Sequence, residues 1–144
     1  MIYEISDPAI VNGFANHPSI RPHLAGGDKE IDLAAGVCAP NVFFFGEHGG
    51  ICLTWSAPGV FEAHVMFTIG GKGRWAVEAG RAVIAEMELR GARQIWARIH
   101  PARKEIAVFA RAAGLKDTGD THCLDAGDGP VNWKLYEWRA ECRQ

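Results

Sequence analysis

The chain has 144 residues, 48% hydrophobic and 22% charged, with 15 basic against 17 acidic side chains and a formal net charge of −2. This length fits one domain. The balance excludes a strongly basic nucleic-acid binder and a disordered chain, and no apolar window approaches the ~18 residues of a membrane span.

Met1 to Asp7 carries no basic, apolar leader, so the sequence reads as cytoplasmic. Ile2-Tyr3-Glu4-Ile5 alternates apolar and polar residues, as a short strand does. Ser6-Asp7-Pro8 predicts a helix start, with a capping side chain followed by proline, and Ile10, Val11 and Phe14 then fall at helical spacing. Prolines 18 and 22 punctuate the next stretch and leave room for a second short helix. Residues 25–40 read as loop.

From residue 41 the pattern is β. Asn41 to Phe45 and Ile51 to Ser56 flank a glycine-rich turn at Gly46 to Gly50. Val60 to Phe67 has a period of two, with Phe61, Ala63, Val65 and Phe67 on one face and Glu62, His64 and Met66 on the other. A glycine-rich loop, Thr68 to Arg74, leads into a helix from about Arg74 to Arg90. Its stripe is Ala76, Val77, Gly80, Val83, Ile84 and Met87, and Gly91 ends it. A strand is expected over Arg93 to His100, a helix over Ala102 to Ala113 closed by Gly114, and strands over Leu115 to Thr121 and Val131 to Arg139. The order is β-α-(α)-β-β-β-α-β-α-β-β, an α/β chain with a mixed sheet of about six to seven strands.

The four cysteines (38, 52, 123, 142) form no C-x-x-C pair, and the six histidines show no metal-binding spacing, so no metal is expected and the thiols read as reduced. Charge is uneven. Residues 1–71 hold two basic and seven acidic side chains, whereas 72–104 hold eight basic and three acidic. The middle segment can meet an anion.

That segment contains the informative unit: strand 60–67, loop 68–73, helix from 74. A helix start exposes free backbone N–H groups and the positive end of the helix dipole, which suit a phosphate. Gly71 and Gly73 let the backbone approach a ligand closely. Lys72 and Arg74 add positive charge. The alternative is a tight structural turn.

With Ile95-Trp96-Ala97-Arg98-Ile99-His100-Pro101 and the helix ending at Gly114-Leu115, the chain resembles the GNAT N-acetyltransferase superfamily over residues 2–139. It is similar to small phage- or prophage-type acetyltransferase-like proteins. Gly71-Lys72-Gly73 matches the G-x-G of that family's loop, with Thr68 where Arg or Gln usually stands. Arg103 stands near the usual Asn, and Ala110 where the acid Tyr usually stands.

The resemblance implies one acetyltransferase-like domain over 1–144, with a splay between strand 60–67 and strand 93–100 that takes acetyl-CoA. Backbone near Met66 and Phe67 would pair with the pantetheine, and the amides of Gly71, Lys72, Gly73, Arg74 and Trp75 would meet the pyrophosphate, with Arg103 as a further contact. Glu62, or His64 beside it, would be the base, and Tyr136 or Tyr3 would replace the acid if the fold brought either close. The implied reaction is direct acetyl transfer to a primary amine on a small molecule or peptide, with a cationic amine preferred because the first third of the chain is acidic. No nucleic acid or membrane partner is expected, and a homodimer is compatible with the pattern. A reading from another class is a GNAT-like binding or structural module without catalysis.

Overall fold

The computed structural model describes residues 1–24, 29–125 and 127–141. Part of the expected loop (25–28), Ala126 and Cys142 lie outside the described residues. Seven strands form one sheet: β1 (Ile2–Ile5), β2 (Val42–Gly46), β3 (Gly49–Ala57), β4 (Val60–Phe67), β5 (Gln94–Ile99), β6 (Lys116–Asp125) and β7 (Pro130–Arg139). Their spatial order is β1-β2-β3-β4-β5-β7-β6. Every neighbouring pair is antiparallel except β4 and β5, which run parallel.

Three helices flank the sheet: α1 (Pro8–Ala15), α2 (Arg74–Leu89) and α3 (Lys104–Ala113). Asp7 caps α1 by accepting the Ala9 N–H at 2.9 Å, and Pro8 opens the first turn. Ala76, Ala79, Gly80, Val83 and Met87 make the buried stripe of α2. Gly114, at φ +119, ends α3.

The period of two along β4 divides the core. Phe61, Ala63, Val65 and Phe67 pack with Val83 and Met87 of α2. Met66 faces the other way, into a cluster with Val11 and Ala15 of α1 and Phe43, Phe45 and Cys52. Third comes a small cluster of Ile99, Ala110, Leu115 and Tyr136, which seats α3.

Two elements differ from expectation. The β2–β3 turn is tighter, because Gly46 pairs with Gly49 and leaves only Glu47 and His48 in the loop. β6 is longer, running on to Asp125, and between Asp117 and Thr121 it carries two residues more than β7 does opposite. Its polar, fully exposed pattern gives no periodicity by which a strand could be read, since an edge strand with no burial needs none.

Candidate active site

β4 and β5 pair only at Val60–Gln94, Phe61–Ile95 and Glu62–Trp96. β4 then continues to Phe67 along β3, while β5 continues to Ile99 along β7. The two parallel strands therefore part beyond Glu62 and Trp96. An antiparallel ladder turns successive residues toward alternate edges. The Thr68 N–H donates to His48 O at 3.0 Å, which puts Met66, His64 and Glu62 on the β3 edge. The backbone groups of Val65 and Phe67 then face the gap. The Phe67 backbone therefore faces the gap and the Met66 backbone turns to β3, by the same alternation.

The gap opens into a cavity of about 190 Å³. Its walls are Ala63, Val65 and His64 of β4, Ala97, Arg98 and Ile99 of β5, and apolar side chains of α2 and α3. Gly80 lets the two helices close in: a Cβ there would stand 2.9 Å from the Ala113 Cβ and 3.3 Å from the Phe109 ring. Ala110 lines the cavity and is buried. Tyr136 lies under α3, its hydroxyl accepting from Arg111 Nη2 at 3.2 Å, and Tyr3 is exposed on the edge strand β1. Neither tyrosine lines the cavity.

At one end of β4 lies the glycine loop. Thr68 leads into the 3-10 turn Ile69–Gly71, and Gly73 then starts α2 with no side-chain cap. The Gly71 and Lys72 amides are used within the turn, donating to Thr68 O at 2.9 Å and Ile69 O at 3.3 Å. Val77 is the first residue of α2 to bond back, to Gly73 O at 3.1 Å. Among the described residues, the N–H groups of Gly73, Arg74, Trp75 and Ala76 have no backbone or side-chain partner. The donor set is therefore shifted one step from the expected Gly71–Trp75 run, because the 3-10 turn consumes its first two members.

The two glycines of the G-x-G serve different needs. A Cβ on Gly71 would stand 2.8 Å from the His48 Cβ and 2.9 Å from its carbonyl oxygen, so packing against the β2–β3 turn demands glycine there. Gly73 meets nothing within 4 Å, but its φ is +79. Its glycine is required by backbone shape and leaves the helix start open to a ligand. Trp75 packs edge-on against His48 and Phe67 at 5.1 and 5.8 Å. The exposed Arg74 pairs with Glu78 at 2.8 Å. Arg103 pairs with Glu105, and its Nη1 lies 2.9 Å from His23 Nδ1.

On the other face of β4, Glu62 is nearly buried between two partners. His64 Nε2 stands 3.0 Å from Glu62 Oε1, and the Arg98 guanidinium reaches Oε2 through Nη2 at 2.9 Å and Nε at 3.0 Å. Burial alone would raise the Glu62 carboxyl. The hydrogen bond and charge of His64, with those of Arg98, outweigh it and hold the carboxyl below its ordinary value. The His64 side chain is 49% exposed against 12% for Glu62, so the imidazole is the member within reach of an incoming molecule. The Arg98 link escapes sequence reading: the two residues are 36 apart, and only the parallel pairing of β4 with β5 makes them neighbours. Among the described residues, no group of His, Cys, Asp and Glu side chains is arranged to hold a metal ion.

No protein-family model matches the sequence, and no curated protein matches it. Solved structures do match. A candidate acetyltransferase from Salmonella typhimurium, solved with its cofactor acetyl-CoA, superimposes with a TM-score of 0.78 at 13% identity, covering 100% of this chain and 95% of that one. A GNAT-family acetyltransferase from Bacillus anthracis gives 0.71 at 15% identity, over 96% and 94% of the two chains. A ribosomal-protein-S5-alanine acetyltransferase from Vibrio fischeri gives 0.71 at 12%, over 96% and 91%. The chain has the fold of the GNAT acetyltransferases.

Proposed function

We propose that this chain, built on the GNAT fold, transfers the acetyl group of acetyl-CoA to a primary amine. The observation that carries the reading is the parting of β4 from β5 directly beside a helix start with four unpartnered amides. An apolar slot with free strand backbone fits an acylated pantetheine arm. The open N–H groups of Gly73 to Ala76 fit its pyrophosphate. Lys72 adds positive charge there, and Arg74 joins it on release from Glu78. Arg103, held by Glu105, lies at the start of α3 beside the same cavity.

In the proposed step the amine nitrogen attacks the thioester carbonyl carbon. A C–N bond forms, the C–S bond breaks, and CoA leaves as its thiolate. The attacking ammonium must first lose a proton. His64 takes it on Nδ1, because Nε2 is engaged with Glu62, and the Glu62 carboxylate stabilises the imidazolium. Glu62 thus orients and charges the base, where the sequence offered it as the base itself. A covalent acyl-enzyme route is disfavoured. Cys52, the cross-strand neighbour of His64, is buried, and burial pushes its thiol up to about 12. The acylated nitrogen then sheds its second proton to solvent to give the neutral amide, and without a tyrosine lining the cavity the departing thiolate takes a proton from solvent.

One observation favours the non-catalytic alternative: Ala110 lines the cavity where an acid would stand. Release of CoA thiol in a screen of amines, run beside a thermal-shift titration with acetyl-CoA, separates the two readings. Stabilisation with turnover supports the transferase, and stabilisation without turnover supports a binding module. No stabilisation at millimolar acetyl-CoA removes both.

A further inference from the structure

We propose that the acceptor is a weakly basic amine, one whose ammonium form gives up its proton near neutral pH as the α-amino group of a peptide does, and that Arg98 sets this choice by neutralising the carboxylate beside the base; this deepens the acetyl-transfer reading and rests on it. Among the described residues that line the cavity, His64 and Arg98 are the only ones that carry or accept a charge, and no Asp or Glu is present. The rest of the wall is apolar. An alkylammonium that enters finds no anion to receive it, and a charge buried without a partner is costly.

Glu62 is not a free anion. Its Oε1 stands 3.0 Å from His64 Nε2, and its Oε2 accepts from Arg98 Nη2 at 2.9 Å and Nε at 3.0 Å. Arg98 is held in turn. Its guanidinium lies over the Trp96 ring at 5.4 Å, and the Trp96 indole N–H donates to Ser56 Oγ at 3.1 Å. Cys52, opposite His64 on β3, adds no negative charge, because burial pushes its thiol up to about 12. At the start of α3, Glu105 is likewise paired with an arginine, Arg103.

The acids of the first third of the chain are engaged elsewhere. Glu4 pairs with Arg90, Asp7 caps α1, and Asp32 accepts from the Asn12 side chain and the Ala34 N–H. Glu47 sits in the β2–β3 turn. The cationic preference that their number suggests therefore has no anion behind it among the described residues of the cavity wall.

The consequence for the acceptor is chemical. A peptide α-ammonium releases its proton at about pH 8 and a lysine-type ammonium at about pH 10.4. Proton transfer to the same imidazole is thus about 300-fold more favourable from the first. A free carboxylate would offset this difference by holding the stronger base as its ammonium. Arg98 occupies that carboxylate, so the site selects against the stronger base.

The test pairs glycinamide with isobutylamine, its carbon isostere and a much stronger base. CoA release is followed at saturating acetyl-CoA and about pH 7.5, with the full chain, Arg98→Met and Arg98→Lys. Wild type is expected to prefer glycinamide by at least about 100-fold in kcat/KM. Arg98→Met should narrow that preference at least about tenfold, chiefly by lowering KM for isobutylamine, because Glu62 then offers an oxygen to the ammonium. Arg98→Lys keeps the charge and should keep the preference, and KM for acetyl-CoA should stay near wild type in both. Equal use of the two amines by wild type overturns the proposal. So does an unchanged preference in Arg98→Met, which would reduce Arg98 to a structural part.

A binding arm needs no turnover. Choline, a permanent cation, and its uncharged carbon isostere are each titrated by thermal shift against wild type in the presence of CoA. The uncharged isostere is expected to stabilise more, and choline stabilising as much or more overturns the proposal. If no amine is acetylated, the transfer reading fails and this arm decides the charge selection by itself. Should Arg98→Met not fold, the double variant Arg98→Met with Glu62→Gln, which leaves no charge beside His64, is expected to keep the glycinamide preference, and its loss overturns the proposal.

Discussion

His64 Nε2 and Glu62 Oε1 stand 3.0 Å apart across one face of β4, two residues apart in sequence, with Arg98 closing on the second carboxylate oxygen at 2.9 Å. The carboxylate thus accepts from the imidazole on one oxygen and from the guanidinium on the other, and among the described residues the second imidazole nitrogen has no partner. This assigns different roles to the two side chains, and mutation separates them. His64→Ala is expected to lower kcat by about 10²–10⁴-fold, the usual contribution of a general base. Glu62→Gln is expected to lower it less, since the imidazole stays in place and only its orientation and charge partner change. Both variants should bind acetyl-CoA like wild type, and both should recover part of their rate at high pH, where the free amine is abundant. Steady-state pH–rate profiles check this. Glu62→Gln losing more than His64→Ala would return the base role to Glu62.

The same ion pairs set a pH dependence of stability. The folded-state Glu62 carboxyl is held below its ordinary 4.5. Its stabilising contribution is therefore fully present above that value and is lost as pH falls through the lowered one. Denaturant midpoints of wild type and Glu62→Gln should differ at neutral pH and converge as pH falls below that lowered value. A margin that persists at pH 3 would mean that the carboxylate charge does not carry it.

Gly73 and Gly71 predict opposite mutational signatures. Gly73→Val has open space but a φ of +79 to adopt, a strain of about 1–3 kcal/mol. It should lower stability modestly and weaken acetyl-CoA strongly, since the β-branched side chain would stand among the open amides. Gly71→Ala puts a methyl group against the His48 Cβ and carbonyl. It should lower the melting temperature through packing and affect acetyl-CoA only as far as the loop shifts. Paired calorimetric titrations and thermal melts distinguish the two.

Gly80 tests the cavity wall. Alanine gains about 1 kcal/mol over glycine in a helix interior, but its methyl would stand 2.9 Å from the Ala113 Cβ, which cannot swing aside. Overpacking typically costs about 1–3 kcal/mol, so the net change expected is destabilising, with α2 and α3 pushed apart. Gly80→Leu should in addition fill the slot and abolish acetyl-CoA binding. A Gly80→Ala variant more stable than wild type would show that the helices separate without cost.

The elements and the sidedness of β4 were legible along the chain. They are local properties: period-two alternation over Val60 to Phe67, the proline and cap at Asp7-Pro8, and the glycines that end α2 and α3 follow from near neighbours. The loop at Gly71 to Gly73 was legible for the same reason, because a strand, a glycine turn and an amphipathic helix occur in immediate succession. Features that join distant segments emerge only on folding. β6 was only partly legible, since an exposed edge strand needs no apolar alternation. The parting of β4 from β5 depends on β3 and β7 competing for their free edges, and no short window contains that competition. Arg98 reaches Glu62 only because the parallel pairing sets Trp96 opposite Glu62. Local sequence sets conformation through short-range sterics and periodicity, whereas the site's electrostatics arise from charges brought together across the sheet.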